Sequence, residues 1–513
     1  SILGFESTLK NIVGMFSLAL YSEKSNKIFL ARDRAGEKPL FYHLDESSFI
    51  FASELKAIFA NKAIKKKLSP KAFNSFLENG FIPGNDCILE GFNKLEAGHF
   101  AYLDLQNKKL KIEKYWELPK YENIKNKIES EEELVENIET LLNQSVKNQL
   151  FADVDLGILL SGGIDSSLIT GIASKYSSKI KTFTIKFNDK KYDESEHARL
   201  ISNCFDTNHT ELEVTPSSTD IIELLSKQYD EPMVDSSMIP TYILTNLVKK
   251  HCKVALGGDG ADELFGGYPH YIRNYKLSNY LRLFPKAFKE KAVKTFPYFS
   301  KLINPYSRIN KIISLIENDL IFSTPHIFAL FNSDNREKLI TNFYKDYKPT
   351  NTKLKTPNSG DLIYRLCAKD FYNYLAEDIL VKTDRASMLN SLELRSPFLD
   401  HRIIEFAFGS LPSKFKINNS NKKIILKKLA KKILPKEFNL ERKQGFSIPL
   451  DKWLRQKEFR GYVNNILYST ESIFPKSFIN NLLRSQDKGF RCGEQIFALT
   501  QFEIWRRSYK ITL

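Results

Sequence analysis

No segment of this 513-residue chain strings together the ~20 apolar residues that a membrane helix needs. Its first residues carry no charged stretch followed by an apolar one, so no secretion signal is read. Cysteine is scarce. Cys87, Cys204, Cys252, Cys367 and Cys492 are odd in number, widely spaced and never arranged as CxxC. That spacing excludes a disulfide frame and a zinc cluster and reads as free thiols in a reducing cytoplasm. Low-complexity tracts, internal repeats and blocks of like charge are also missing. The 76 Lys and Arg against 61 Asp and Glu leave a formal balance of +15. Such a balance raises a nucleic-acid or membrane-surface partner, but its dispersal along the chain favours a solvated lysine-rich surface.

What is present divides into two textures. The first hundred residues read mostly as strands: Gly14–Tyr21 and Lys27–Ala31 as a hairpin, then strands at Leu40–Tyr42 and Phe49–Ser53, a short helix from Glu54, and a last β segment over Tyr102–Tyr115. The polar stretch 117–130 reads as a linker. From Glu131 the pattern is helical, with Leu134, Ile138, Leu141, Leu142, Ser145 and Val146 on one face. Strands and helices then alternate: strands at Val154–Leu160, Lys181–Phe187, His209–Val214 and Lys253–Leu256, helices at Ile164–Tyr176, Glu194–Cys204, 219–229 and 239–251. Repeated βαβ units imply a parallel sheet wrapped by helices. Beyond about residue 270 the chain reads as almost wholly helical.

Five constellations carry chemistry. Ser161-Gly162-Gly163-Ile164-Asp165-Ser166-Ser167 follows the apolar strand and opens a helix. Glycines there let the backbone approach a ligand, and the helix start adds the positive end of its dipole, a cradle for phosphate. The loop is neither GxxxxGK[ST] nor GxGxxG. Asp165 inside such a cradle would repel phosphate, which implies a divalent cation. The second is Gly257–Tyr268, five glycines and three carboxylates in twelve residues, again directly after a buried strand. It is expected at the carboxyl end of the same sheet, where open α/β sheets bind ligands. The third is Asp230-Glu231-Pro232 with Asp235-Ser236-Ser237. The fourth contains Asp378, Lys382-Thr383-Asp384-Arg385 and Glu393-Leu394-Arg395-Ser396-Pro397-Phe398-Leu399-Asp400-His401-Arg402, with Asp384, Met388 and Ser391 on one helix face. The fifth is Arg442-Lys443-Gln444-Gly445-Phe446-Ser447-Ile448-Pro449, a basic loop able to deliver a cation. Taken singly, the fourth reads more readily as a salt-bridged helix and the fifth as a plain basic loop.

Together and in this order, the five resemble the glutamine-dependent asparagine synthetases, class-II amidotransferases. The resemblance runs from Gly14 to about Trp453 and includes Gly14-Met15-Phe16, Arg32-Asp33-Arg34, Lys38–Tyr42 and Ala52–Ala57. It implies an α/β and α+β two-domain chain. Residues 1–116 would be part of an αββα N-terminal-nucleophile glutaminase, 117–130 a linker, and 131–513 an ATP-pyrophosphatase-type parallel α/β synthetase domain with a helical C-terminal part. The family's nucleophilic Cys and its glutamine-holding residues have no counterpart ahead of Gly14. The expectation is therefore a glutaminase lacking about a hundred residues, with apolar sheet surface left open, and use of free ammonia only.

The resemblance further implies ATP-dependent amidation of aspartate through β-aspartyl-AMP. Ser161, Gly162, Gly163, Ser166, Ser167 and Gly258 would cradle the pyrophosphate, and Leu159, Ile185 and Gly257 would flank adenosine. Asp165 and Asp262 would hold Mg²⁺. Asp259 would serve the intermediate and deprotonate ammonia, and Lys443 would stabilise the reacting phosphorus. Asp235, Ser236, Lys382, Asp384 and Arg385 would take the acceptor. The implied partners are aspartate, ATP, and glutamine or ammonia, with no nucleic acid and no membrane, in a cytoplasmic protein that would pair as a homodimer. Sister enzymes that amidate uronic acids of surface polysaccharides keep the same loops. tRNA-adenylating enzymes and a basic binding module are the remaining alternatives, distinguished by salt-dependent RNA affinity and by absence of AMP formation.

Overall fold

The computed structural model describes residues 4–120, 130–186, 193–213, 219–282, 329–442 and 450–513. The expected hairpin is β1 (Ser17–Ser22) and β2 (Lys27–Arg32), followed by β3 (Phe41–Leu44), β4 (Phe49–Ala52) and β5 (Phe92–Lys94). The segment expected as one strand over Tyr102–Tyr115 is instead a second hairpin, β6 (His99–Asp104) and β7 (Lys109–Lys114), turning through Lys108 at φ 51°. Turn residues Gln106 and Asn107 are tied back to Asp104, which closes the loop within the polar stretch. These strands form two antiparallel sheets, β1-β2-β6-β7 and β4-β3-β5.

Leu30 and Ala101 of one sheet meet Leu40, Tyr42 and Leu95 on the other sheet's side. The Phe5–Asn11 helix covers the outer face of the first sheet, with Leu9 against Ala31 and Phe100. The second sheet rests on the Leu55–Ile58 and Pro70–Asn79 helices. The layers thus run helix, sheet, sheet, helix. The Pro70–Asn79 helix was hidden by the strand-like reading of this region. It starts on Ser69, whose hydroxyl accepts from the Ala72 amide, with Pro70 at the first turn.

The alternating region yields five parallel strands: β8 (Leu156–Leu159), β9 (Lys181–Lys186), β10 (Asn208–Glu213), β11 (Val254–Leu256) and β12 (Glu393–Arg395). The sheet order is β10-β9-β8-β11-β12. β8 begins two residues later than its apolar run, since Val154 lies exposed. A strand within the expected helical part, β12, is a correction as well. Three residues are too few to carry a period, and only pairing with β11 makes them a strand. The Glu131–Gln149 helix opens on a Ser130–Glu133 capping box and buries Leu134, Ile138, Leu142, Ser145 and Val146, the face the periodicity predicts.

Leu362–Asp370, Phe371–Ile379 and Leu380–Met388 make one continuous helical rod whose middle nine residues are π-helix. The rod ends before Ser391, which has φ 54°, so Ser391 does not share a helix face with Asp384. All five cysteines are free thiols. Among the described residues, no helix is long and apolar enough to cross a membrane.

Candidate functional site at the switch point of the parallel sheet

The chain runs outward from β8 to β9 and β10, then returns to lay β11 on the other side of β8. Loops leaving β8 and β11 therefore diverge, and the gap between them is where such sheets hold ligands. The loop after β8 is the SGGIDSS segment, and the loop after β11 begins Gly257-Gly258-Asp259. Between them opens a cleft of about 430 Å³.

The first loop is held by its own hydroxyls. The Ser161 amide donates to Ser166 Oγ at 3.2 Å, and the Gly163 amide donates to Ser161 Oγ at 3.3 Å. Gly162 has φ 70°, and a Cβ there would stand 2.6 Å from His197 Cβ and 2.8 Å from the Ala198 amide nitrogen. Only glycine lets this turn press onto the Ser195–Cys204 helix. Leu159, Ser161, Asp165, Ser166, Ile185, Gly257, Gly258, Asp259, Asp262, Asp235 and Lys382 all line the cleft. Gly162 and Gly163 complete its loop.

Other expected residues lie elsewhere. Ser167 is fully buried with a hydroxyl that has no partner, one helical step past the cleft wall. Ser236 faces a neighbouring cavity, which shares Asp235, Tyr268 and Tyr374 with the cleft. Asp384 accepts from Lys38 Nζ at 2.7 Å. Arg385 is buried on the opposite side of its helix, among Glu54, Asp230 and the Ser53 carbonyl. Lys443 falls outside the described residues. For Ser167, Asp384 and Arg385, position in the motif was a poor guide, because consecutive helical residues point 100° apart, and Ser236 lies in the turn ahead of the Met238–Val248 helix.

Asp165 and Asp262 come together as expected, and a residue the sequence reading missed joins them. Lys423 Nζ lies 2.5 Å from Asp165 and 2.7 Å from Asp262. Its side chain is 7% exposed. Burial works against its charge, yet the two carboxylates raise its pKa overall. Lys423 sits at φ 51°, just ahead of the Ile424–Ile433 helix. A Cβ at Gly267 would collide with Asp262 and with Lys423 Cε, so Gly267 makes the room. In the sequence Lys423 is one lysine among many in Lys422–Lys432, with no motif to mark it.

Two carboxylates that converge on one cation are a hard-oxygen donor set suited to Mg²⁺. Among the described residues no group of three or more His, Cys, Asp or Glu forms such a site. The remaining ligands would have to be water or substrate phosphate, the usual habit of Mg²⁺.

The other side of the cleft holds Asp235, Lys382 and Asp378. Burial disfavours the Asp235 carboxylate, but Lys382 at 3.0 Å and the Ser237 hydroxyl keep its pKa below the ordinary value. Burial and the neighbouring Asp235 push the pKa of Asp378 far above the ordinary carboxylate value. Asp259 is raised by burial, against the pull of Lys382, and the Thr383 side chain lies against it. Glu263 rises to about 8, chiefly through burial and then Asp262, while accepting from Tyr268 OH at 2.5 Å.

Glu194, which lines the cleft, is pushed by burial up to about 7 despite Arg442. Its folded value lies above its ordinary 4.5. The stability it contributes is therefore complete below the ordinary value and lost as pH rises through about 7. Ionisation also places a new negative charge in the cleft. ATP affinity should fall about three- to tenfold as pH rises through that window. Calorimetric titrations on wild type and Glu194→Gln check this, and only the wild type should show the added step.

Comparison with known proteins agrees with this geometry. Residues 137–507 match the family described as Asparagine synthase, and residues 2–116 match the Glutamine amidotransferase domain. The chain belongs to the asparagine synthase family. An asparagine synthetase-type protein of Methanocaldococcus jannaschii is 33% identical over 414 residues, 77% of this chain and 76% of its own length. The glutamine-hydrolysing asparagine synthetases 1 and 3 of Bacillus subtilis are each 27% identical. They align with 98% and 99% of this chain and with 78% and 81% of their own.

Proposed function

We propose that the chain amidates aspartate to asparagine at the expense of ATP, through β-aspartyl-AMP. The observation that carries this reading is the pairing of Asp165 and Asp262 across the switch point, beside a phosphate-sized glycine loop. Leu159, Ile185 and Gly257 would border adenosine, and Ser161, Gly163 and Ser166, whose amides and hydroxyls bond one another in the free loop, would re-aim them to cradle the phosphates. Asp165 and Asp262 would hold Mg²⁺, which supplies charge neutralisation as the α–β phosphate bond breaks.

Lys382 and Asp235 form a fixed ion pair that orients the charged groups of the acceptor. One oxygen of the aspartate β-carboxylate attacks the α-phosphorus, and the bridging P–O bond breaks to release pyrophosphate. Ammonia nitrogen then attacks the acyl carbon, the C–O bond to AMP breaks, and Asp259 takes a proton from the nitrogen. A small cavity of about 30 Å³ lies on the far face of the Leu380–Met388 helix, bordered by Arg32, Lys94, Glu231 and Glu377. It has room for one ammonia or water on the side facing the antiparallel sheets.

The deciding experiment measures ATP–pyrophosphate exchange with aspartate, and AMP release with added ammonium chloride. Exchange that needs aspartate supports the reading. Exchange driven instead by glucuronate or galacturonate, with aspartate inert, assigns the site to a sugar-acid amidotransferase. Lys443 is assigned to the reacting phosphorus. Lys443→Ala should leave the fold intact and slow adenylation by roughly 10²–10³. Unchanged exchange in that variant removes Lys443 from the mechanism.

A further inference from the structure

Four consecutive residues of the Leu380–Met388 helix divide between two parts of the molecule. Lys382 and Thr383 face the cleft, with Lys382 on Asp235. Asp384 and Arg385 face the antiparallel-sheet sandwich. Lys38 of the sandwich donates to Asp384 at 2.7 Å. Arg385 donates to the Ser53 carbonyl at 2.7 Å and pairs with Glu54 at 2.9 Å and Asp230 at 3.3 Å, while its guanidinium lies 5.9 Å from the Phe41 ring centre.

Asp230 is the centre of this knot. It is fully buried at φ 64°. Its carboxylate accepts from the Leu55 and Lys56 amides at 3.0 and 3.3 Å and from Lys56 Nζ at 3.1 Å. The Leu55–Ile58 helix has no side-chain cap of its own, since Glu54 makes none. A residue 175 positions away supplies the cap instead. The Asp230 carbonyl accepts from Trp505 Nε1 at 2.6 Å, which anchors it to the last helix. The two residues just before Asp230 also hold the rod, with Tyr229 OH donating to the Lys382 carbonyl and Gln228 to the Arg385 carbonyl.

A planar guanidinium with three oxygen partners admits little rotation. The π-helical segment just before it is bonded i→i−5 in place of the α-helical i→i−4 ladder, so the residues after it do not keep the rotational phase of the Leu362–Asp370 helix. The orientation of Lys382 therefore depends on contacts made downstream of that segment. We infer that Arg385 is a positioning residue: gripped by Asp230 and the Ser53–Glu54 turn, it sets the rotation of the Leu380–Met388 helix and so the aim of Lys382 at the acceptor. Through it and Lys38, the sandwich governs the acceptor half of the reaction and leaves the nucleotide half alone. The assignment of Lys382 to the acceptor rests on the proposed function above.

The test compares wild type, Arg385→Met, Arg385→Lys and the double variant Glu54→Gln/Lys38→Met, in the full chain. Pyrophosphate exchange should show KM for aspartate raised about tenfold in Arg385→Met and in the double variant, with KM for ATP within about twofold of wild type. Arg385→Lys should fall between. A purely structural role would lower kcat through loss of folded enzyme and leave both KM values in place, and that result overturns the inference. If Arg385→Met does not fold, the double variant decides, because Glu54 and Lys38 are 31% and 23% exposed at their side chains. If wild type shows no aspartate-dependent exchange, the acceptor reading fails separately. Amide hydrogen exchange then decides. In the double variant, residues 380–388 should exchange about tenfold faster while 164–173 keep wild-type protection. Equal protection at 380–388 overturns the inference.

Discussion

Lys423→Ala is expected to lower the stability of the metal-free protein by about 3 kcal/mol and to make that stability depend on Mg²⁺. The lysine is the one described cation placed between Asp165 and Asp262, and all three groups are largely withdrawn from water. Removing a buried charge while leaving its partners costs more than the pair itself contributes, because two carboxylates then face each other in a medium of low dielectric constant. Mg²⁺ offers the same compensation from outside. Denaturant unfolding with and without a few millimolar MgCl₂ should show a modest metal effect in wild type and a much larger one in the variant. A metal response that is the same in both would mean that the two carboxylates do not hold the ion. The same substitution should also raise KM for ATP, since the Lys423 ammonium that screens the two carboxylates from the phosphates is removed.

Asp259→Asn should lower AMP formation from aspartate, ATP and ammonium about 10²–10³-fold, with KM for ATP little changed. Asp259 lines the cleft within the electrostatic reach of Asp165, Asp262 and Lys382. Asparagine keeps the size and the hydrogen bond toward Thr383 but cannot accept a proton from the attacking nitrogen. Single-turnover measurements separate the two half-reactions. The ammonia step should bear most of the loss. An equal loss in aspartate-dependent pyrophosphate exchange would assign Asp259 to adenylation instead, and an unaffected rate in both would remove it from the chemistry.

The site was legible in the sequence where a backbone requirement wrote it there. SGGIDSS and GDGADELFGGY stand out because tight turns after strands need glycine, and carboxylates placed among glycines serve no core. Both loops lie at the switch point, and eleven of the expected residues share its cleft. The assignments that missed belong to helices. Ser167, Asp384 and Arg385 follow one to three residues after expected residues that line the cleft, Ser166 and Lys382, and a linear motif carries no information on which position faces inward until the helix is packed. Lys423 carried no signal at all, since its role depends on Asp165 lying 258 residues away.

The division has a physical basis. Local rules acting within a few residues were enough to predict four of the five parallel strands, the helix from Glu131, the first hairpin, the glycine turn after β8 and the free thiols. Turn geometry, side-chain period and the scarcity of cysteine act at that range. Tertiary structure alone decided that β12 joins the sheet, that Asp230 caps a helix in the sandwich, and that Lys423 occupies the point between Asp165 and Asp262. Each of those depends on a partner distant in the chain, and burial makes the partner obligatory: an amide, a guanidinium or an ammonium withdrawn from water must find its counterpart wherever the fold has put it.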